Sequence, residues 1–182
     1  MSGTDKRVAH RFWWLGVAVA ILICSGCGGG LEAVALPSST NSITPLPSST
    51  VTNEDAVASA YTKFVAMLDR ADSLPVESRK RDLATVMVDP QLSRVMRRID
   101  VMKKQHITTY GRVVVHIRSV QLTSSGATVF DCQNSSGAGI RNSITGKKIK
   151  RGVGKGHAKA LLVKGSDGKW RVRKSIMIGE GC

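Results

Sequence analysis

With 182 residues the chain has room for one domain of ordinary size, and less once its ends are set aside as targeting and linker sequence, so one core is the ceiling. Apolar residues make up 42% but aromatics only 4%, which leaves Val, Ile, Leu, Met and Ala to supply most of the buried area. The net charge of +14 is unevenly placed: residues 53–100 hold eight Lys/Arg and eight Asp/Glu, whereas residues 101–182 hold sixteen Lys/Arg against Asp131, Asp167 and Glu180, a net +13. Such a field favours anionic partners, among them lipid head groups, wall polyphosphates or shed nucleic acid bound without sequence specificity; the bland alternative is a solvated basic face.

Residues 1–27 read as an address. Lys6, Arg7 and Arg11 precede twelve uncharged residues, 12–23, and then a run of small residues, which is the layout of a signal peptide. The fifteen residues 12–26 fall short of the roughly 20 that a spanning helix needs. The segment Cys24, Ser25, Gly26, Cys27 resembles the lipobox of bacterial lipoproteins, with Cys24 standing where Leu is usual. That resemblance implies diacylglycerol and palmitate on a mature N-terminal Cys27, and a location on the extracytoplasmic face of the cell membrane. No twin-arginine pair occurs, so Sec export is implied. If cleavage removes Cys24 and lipid occupies Cys27, Cys132 and Cys182 remain as an even pair in an oxidising compartment and are expected to form a disulfide. Closing that loop is worth about 4 kcal/mol on the chain-entropy argument.

Residues 28–52 are rich in Ser, Thr, Pro and Gly, carry one acid and no base, and repeat Leu36, Pro37, Ser38, Ser39, Thr40 as Leu46, Pro47, Ser48, Ser49, Thr50. Such a segment cannot bury enough apolar area to order itself and is expected to be a disordered linker. A folded domain is expected over residues 53–182. Thr52 and Asp55 form a capping-box pattern ahead of a helix whose inner stripe is Val57, Ala60, Tyr61, Phe64, Val65 and Leu68. A second helix is expected over 77–87, with Leu83, Val86 and Met87 inward. Asp89 as N-cap and Pro90 as first helical residue would open a third, with Leu92, Val95, Met96, Ile99 and Met102 inward and Arg94, Arg97, Arg98, Lys103 and Lys104 outward.

Beyond Gly111 the period changes to two, with Val113, Val115 and Ile117 alternating with Arg112, Val114, His116 and Arg118, which predicts a strand. Further strands are expected over 127–132, 157–164 and 169–178, the last two joined by a turn through Gly165, Ser166, Asp167 and Gly168. Residues 133–156 read as a flexible polar excursion with a turn at Thr145 and Gly146. Helices first and an antiparallel sheet afterwards is an α+β order.

Five signatures carry a family resemblance: Asp89, Pro90, Gln91, Leu92; Thr109, Tyr110, Gly111; Val129, Phe130, Asp131, Cys132; Thr145, Gly146; and Gly168, Lys169, Trp170, Arg171, Val172. Together they resemble secreted actinobacterial lipoproteins whose domain is similar to the NTF2-like, or cystatin-like, cone. The resemblance spans residues 53–182. It implies N-terminal helices packed on a curved antiparallel sheet around a hollow that relatives use for catalysis, ligand binding or assembly, so fold alone does not set function.

Chemical motifs are sparse. No G-x-S-x-G, H-E-x-x-H or paired C-x-x-C follows the leader, and His10, His106, His116 and His157 lack ligand-like spacing, so no metal site and no cofactor is expected. The stretch Gly152, Val153, Gly154, Lys155, Gly156, His157 suggests a phosphate loop but lacks the Lys-Ser/Thr ending and leads into a strand, and it reads as a mobile basic loop. Asp131 is the one candidate catalytic group, a general base if burial raised its pKa, with Tyr61 and His157 as conceivable partners. Its bland role is an outward carboxylate or a cap. Trp170 is expected in the sheet core, with Arg171 and Arg173 on the opposite face.

The leading expectation is a non-catalytic envelope lipoprotein whose basic domain binds or assembles with another envelope component, whether anionic lipid, wall polymer or protein. Lys147, Lys148, Lys150, Arg151, Lys155 and Lys159 are the expected contact. One alternative is a small isomerase- or dehydratase-like enzyme using Asp131, which would need a deep pocket around that residue. The other is a scaffold subunit of a secretion or conjugation apparatus.

Overall fold

A computed structural model describes residues 52–182; the leader, Cys27 and the linker up to Val51 lie outside the described residues. Helix α1, Asn53–Leu68, begins as its sequence dictates: Asp55 N donates to Thr52 Oγ1 at 3.1 Å and Thr52 N donates to Asp55 Oδ2 at 3.3 Å. Val57, Tyr61, Phe64 and Val65 are its buried stripe. Among the described residues no helix is long and apolar enough to cross a membrane.

Helix α2, Val76–Ala84, stops three residues short of the expected end. Instead of continuing, Val86 and Val88 pair through their backbones with Val172, each hydrogen bond 3.0 Å, and Met87 is fully buried. Two β-branched valines and the approach of Pro90 make extended backbone the easier course there. Helix α3, Gln91–Lys104, has Pro90 at its cap position and not inside the helix, while the Asp89 carboxylate does the capping by accepting Ser93 N at 3.0 Å. Its inner face is Leu92, Val95, Ile99 and Met102, with Met96 half-buried and the five predicted cations outward.

The strands form two antiparallel sheets. The larger has the order β2-β3-β6-β7, built from Ile117–Thr123, Gly126–Gln133, Gly156–Lys164 and Trp170–Glu180. Registers Ala127 to Leu162, Leu162 to Val172 and Val129 to Ala160 put one apolar face under α1 and α3. Trp170 is half-buried at the margin of this core, and Arg173 is exposed. Gln91 Oε1 accepts Ser175 N at 3.1 Å and the Arg94 guanidinium reaches Ser175 O at 3.4 Å, tying the start of α3 to the edge of β7. Cys132 and Cys182 are disulfide-bonded with Cα atoms 5.8 Å apart, which fixes the C-terminal end to β3 as expected.

The smaller sheet corrects the sequence reading. Its order is β1-β4-β5, formed by Ile107–Tyr110, Gly139–Asn142 and Lys148–Arg151. The supposed flexible excursion is therefore a folded hairpin, and Thr145 and Gly146 do turn it, with Gly146 at φ +73°. The strand expected from Arg112 begins only at Ile117, after a segment held by a single bridge between Val114 and Asn134. Carboxylates take the amides a neighbouring strand would have used: Val113 N donates to Asp69 Oδ2 at 3.1 Å and His116 N to Asp131 Oδ1 at 2.7 Å.

Candidate functional site

Asp131 lies on the inward side of β3 at 3% exposure, so the outward alternative is excluded. Tyr61 Oη donates to its Oδ2 at 3.0 Å, His116 N donates to Oδ1 at 2.7 Å, and Gln133 Nε2 donates to Tyr61 Oη at 2.8 Å. Burial first, and then the neighbouring Asp131 charge, push the Tyr61 hydroxyl well above the usual phenol range. Tyr61 is therefore the partner that the sequence suggested. His157 is not: its register partner is Cys132, which places it on the outer face, across the sheet from Asp131. Both carboxylate oxygens of Asp131 are engaged, and Tyr61, Phe64, Leu83 and Met87 are fully buried in the core.

Two surface grooves lie elsewhere. One, of about 440 Å³, runs along Thr62, Ala66, Arg112, Val113, Val114, Val115 and Ile117. The other, of about 470 Å³, is lined by Tyr110, Ser136, Gly137, Lys148, Ile149, Lys150 and Arg151. Asp131 lines neither.

The second groove sits on the basic hairpin. All four residues of β5 are exposed. Lys148 Nζ lies 5.0 Å from the centre of the Tyr110 ring, a cation–π contact that holds the charge outward, and the Arg151 guanidinium donates to the Ser136 carbonyl. Lys147, Lys150 and Lys155 are exposed as well. Lys159, grouped with them by sequence, is elsewhere: it lies on the outer face of β6, half-buried, with Nζ 5.3 Å from the centre of the Phe130 ring. Sequence reasoning missed Arg141, Ile144 and Ile149; the signal was a pair of isoleucines embedded in a run of lysines.

The glycine-rich stretch is no phosphate loop. Gly156 opens a strand, not a helix, and a Cβ on Gly152 would come within 2.4 Å of the Ser135 carbonyl oxygen, so this glycine serves close backbone approach.

Asp72, which the sequence did not single out, anchors the small sheet. Its carboxylate accepts Thr108 Oγ1 at 2.5 Å, Thr109 N at 3.0 Å and Thr109 Oγ1 at 2.7 Å. Burial alone would raise its pKa, but these three donors outweigh it and hold the carboxyl below the usual range.

No family model and no curated protein sequence matches the chain. Among solved structures, the intermembrane space region of the chloroplast protein ARC6 is similar at 11% identity over 71% of this chain and 98% of that one, with a TM-score of 0.56. A ketosteroid isomerase-like protein from Erwinia carotovora atroseptica SCRI1043 is similar at 17% identity over 70% and 99%, TM-score 0.46. A structure from Catenulispora acidiphila is similar at 12% over 68% and 88%, TM-score 0.46. The domain has an α+β fold of three helices and two antiparallel sheets, an architecture it shares with the ARC6 region. At such identities the likeness concerns architecture alone, and one architecture hosts many unrelated functions.

Proposed function

We propose that this protein is an envelope lipoprotein of the actinobacterial kind it resembles, anchored through Cys27 on the outer face of the cell membrane. Its NTF2-like domain binds or assembles with an anionic envelope component and does not catalyse a reaction. The observation that carries this reading is the charge of the hairpin half: between Asp131 and Asp167 there are eight Lys/Arg and no acidic residue, and β5 is exposed along its whole length. Anionic lipid and wall polymer both fit that field.

Mass spectrometry of the membrane fraction tests the anchor. A mature chain starting at diacylated Cys27 is expected, and an intact Met1 start would overturn it. Co-sedimentation with anionic vesicles at rising salt tests the face. Binding should weaken steeply, because exposed charges are screened over about 8 Å at physiological ionic strength, and changing Lys147, Lys148, Lys150, Arg151 and Lys155 to Gln should abolish it. Salt-insensitive binding, or binding that survives those changes, would place the contact elsewhere. A turnover lost in Asp131→Asn while the fold persists would favour the isomerase-like reading instead.

A further inference from the structure

Three properties of the β4–β5 hairpin converge. Ile144, at its tip, is 72% exposed, the highest value among the exposed large apolar side chains of the described residues, and Ile149 is 53% exposed on β5. The tip is also held in place: Asn142 Oδ1 accepts both Ile144 N at 2.9 Å and Thr145 N at 2.8 Å, and Gly146 takes the left-handed conformation that closes the turn. Around these isoleucines stand Arg141, Lys147, Lys148, Lys150 and Arg151, with no acid in the hairpin to neutralise them.

A soluble or wall-bound polyanion would read only the cations. Two isoleucines held in water contribute nothing to such a contact, whereas an anionic bilayer offers phosphates to the cations and an apolar boundary to the isoleucines. Lysine and arginine stems suit that boundary, since their methylenes lie in the apolar layer while the charged ends stay among head groups. We propose that the β4–β5 hairpin is a bilayer-docking finger that seats Ile144 and Ile149 in the interfacial layer of an anionic membrane while its cations hold lipid phosphates. The proposal rests on the reading above that the basic half binds an anionic envelope component, and it narrows that component to a lipid surface.

The test uses the full chain carrying Cys24→Ser and Cys27→Ser, so that an added Ile144→Cys is the single free thiol beside the Cys132 to Cys182 disulfide. An environment-sensitive dye is attached there, and the chain is mixed with vesicles of phosphatidylglycerol and phosphatidylcholine or of phosphatidylcholine alone. Emission should shift to the blue, and lipid-borne quenchers should reach the dye, only when phosphatidylglycerol is present. The same dye on Ser166→Cys, in the β6–β7 turn, should stay in water. Separately, the Ile144→Ser, Ile149→Ser pair should weaken vesicle binding by roughly tenfold without changing its salt dependence. A dye at 144 that stays in water while the protein sediments in a salt-sensitive way overturns the finger and leaves the charged-face reading standing. Equal shifts at 144 and 166, or serine variants that bind as tightly as the parent, also overturn it. Absence of binding to anionic vesicles removes both readings together.

Discussion

Strand β6 buries Ala158, Ala160 and Leu162 to 2%, 0% and 1% exposure, while β5 leaves Lys148, Ile149, Lys150 and Arg151 all exposed. The two strands are four residues apart in the chain and belong to different sheets. The larger sheet is organised by burial, its apolar face closed under α1 and α3. The smaller is held by polar anchors: Asp72 to Thr108 and Thr109, Arg151 to the Ser136 carbonyl, and Ser135 N to the Val153 carbonyl at 2.9 Å. Residues that make the fold and residues that present charge are thus separable, and substitutions should separate them.

The largest expected effect tests whether the packed half depends on its staple. Cys182→Ser frees the end of β7 from β3, and loss of the 50-residue closure should lower unfolding free energy by about 4 kcal/mol in a denaturant titration. A shift under about 1 kcal/mol would mean that packing alone holds that end. Next, Leu162→Ala should cost about 3 kcal/mol through lost transfer energy and the cavity left behind, without altering vesicle binding. A comparable loss of binding would break the separation of the two sheets.

Asp72→Asn sharpens the contrast on the polar side, with an expected cost of about 1 to 2 kcal/mol at neutral pH from disturbed hydrogen bonds. Because the folded carboxyl titrates below its unfolded value, its stabilising contribution is fully present above about pH 4 and is lost as pH falls through the lower, folded value. Asp69 acts in the opposite sense: burial raises its pKa despite the Val113 amide and the Arg112 charge, so its ionised form opposes folding and acidification relieves it. Thermal unfolding of parent and Asp72→Asn from pH 3 to 7 should show the acid-side loss reduced in the variant. The smallest effect is expected at the surface, where Ile149→Ala should change stability by less than about 0.5 kcal/mol. A larger change would show that the exposed strand contributes to the core after all.

What the sequence made legible follows the same division. Helices α1 and α3 and strands β3, β6 and β7 are periodic over eight residues or more, and their spacing placed them to within a few residues. The four-residue strands β1, β4 and β5 have too few residues for a period to emerge, and their partners are distant in sequence. The break between Gly111 and Ile117 was hidden for another reason. Val113 and His116 alternate properly, but Asp69 and Asp131, 44 and 15 residues away, claim their amides. At the site, the pairing of Tyr61 with Asp131 was foreseeable from one inward helix stripe and one inward strand position. That it lines neither of the two grooves described was not, because the packing of Phe64, Leu83 and Met87 had to be assembled first. Sequence proximity grouped Lys159 with the hairpin cations, but it belongs to β6 of the larger sheet, where its register partners are Phe130 and Ile176.

The bond from Ser175 N to Gln91 has a bearing on how this protein survives crowding. Beyond Val172, strand β7 is the open edge of the larger sheet, and it carries the exposed run Ile176, Met177 and Ile178. Such an edge invites a strand from a neighbouring copy. Any strand approaching there finds the Ser175 amide already occupied, its carbonyl faced by Arg94, and Arg173 and Lys174 standing beside it. One glutamine and three cations thereby keep a sticky border from becoming a seed for intermolecular sheet growth wherever copies are crowded.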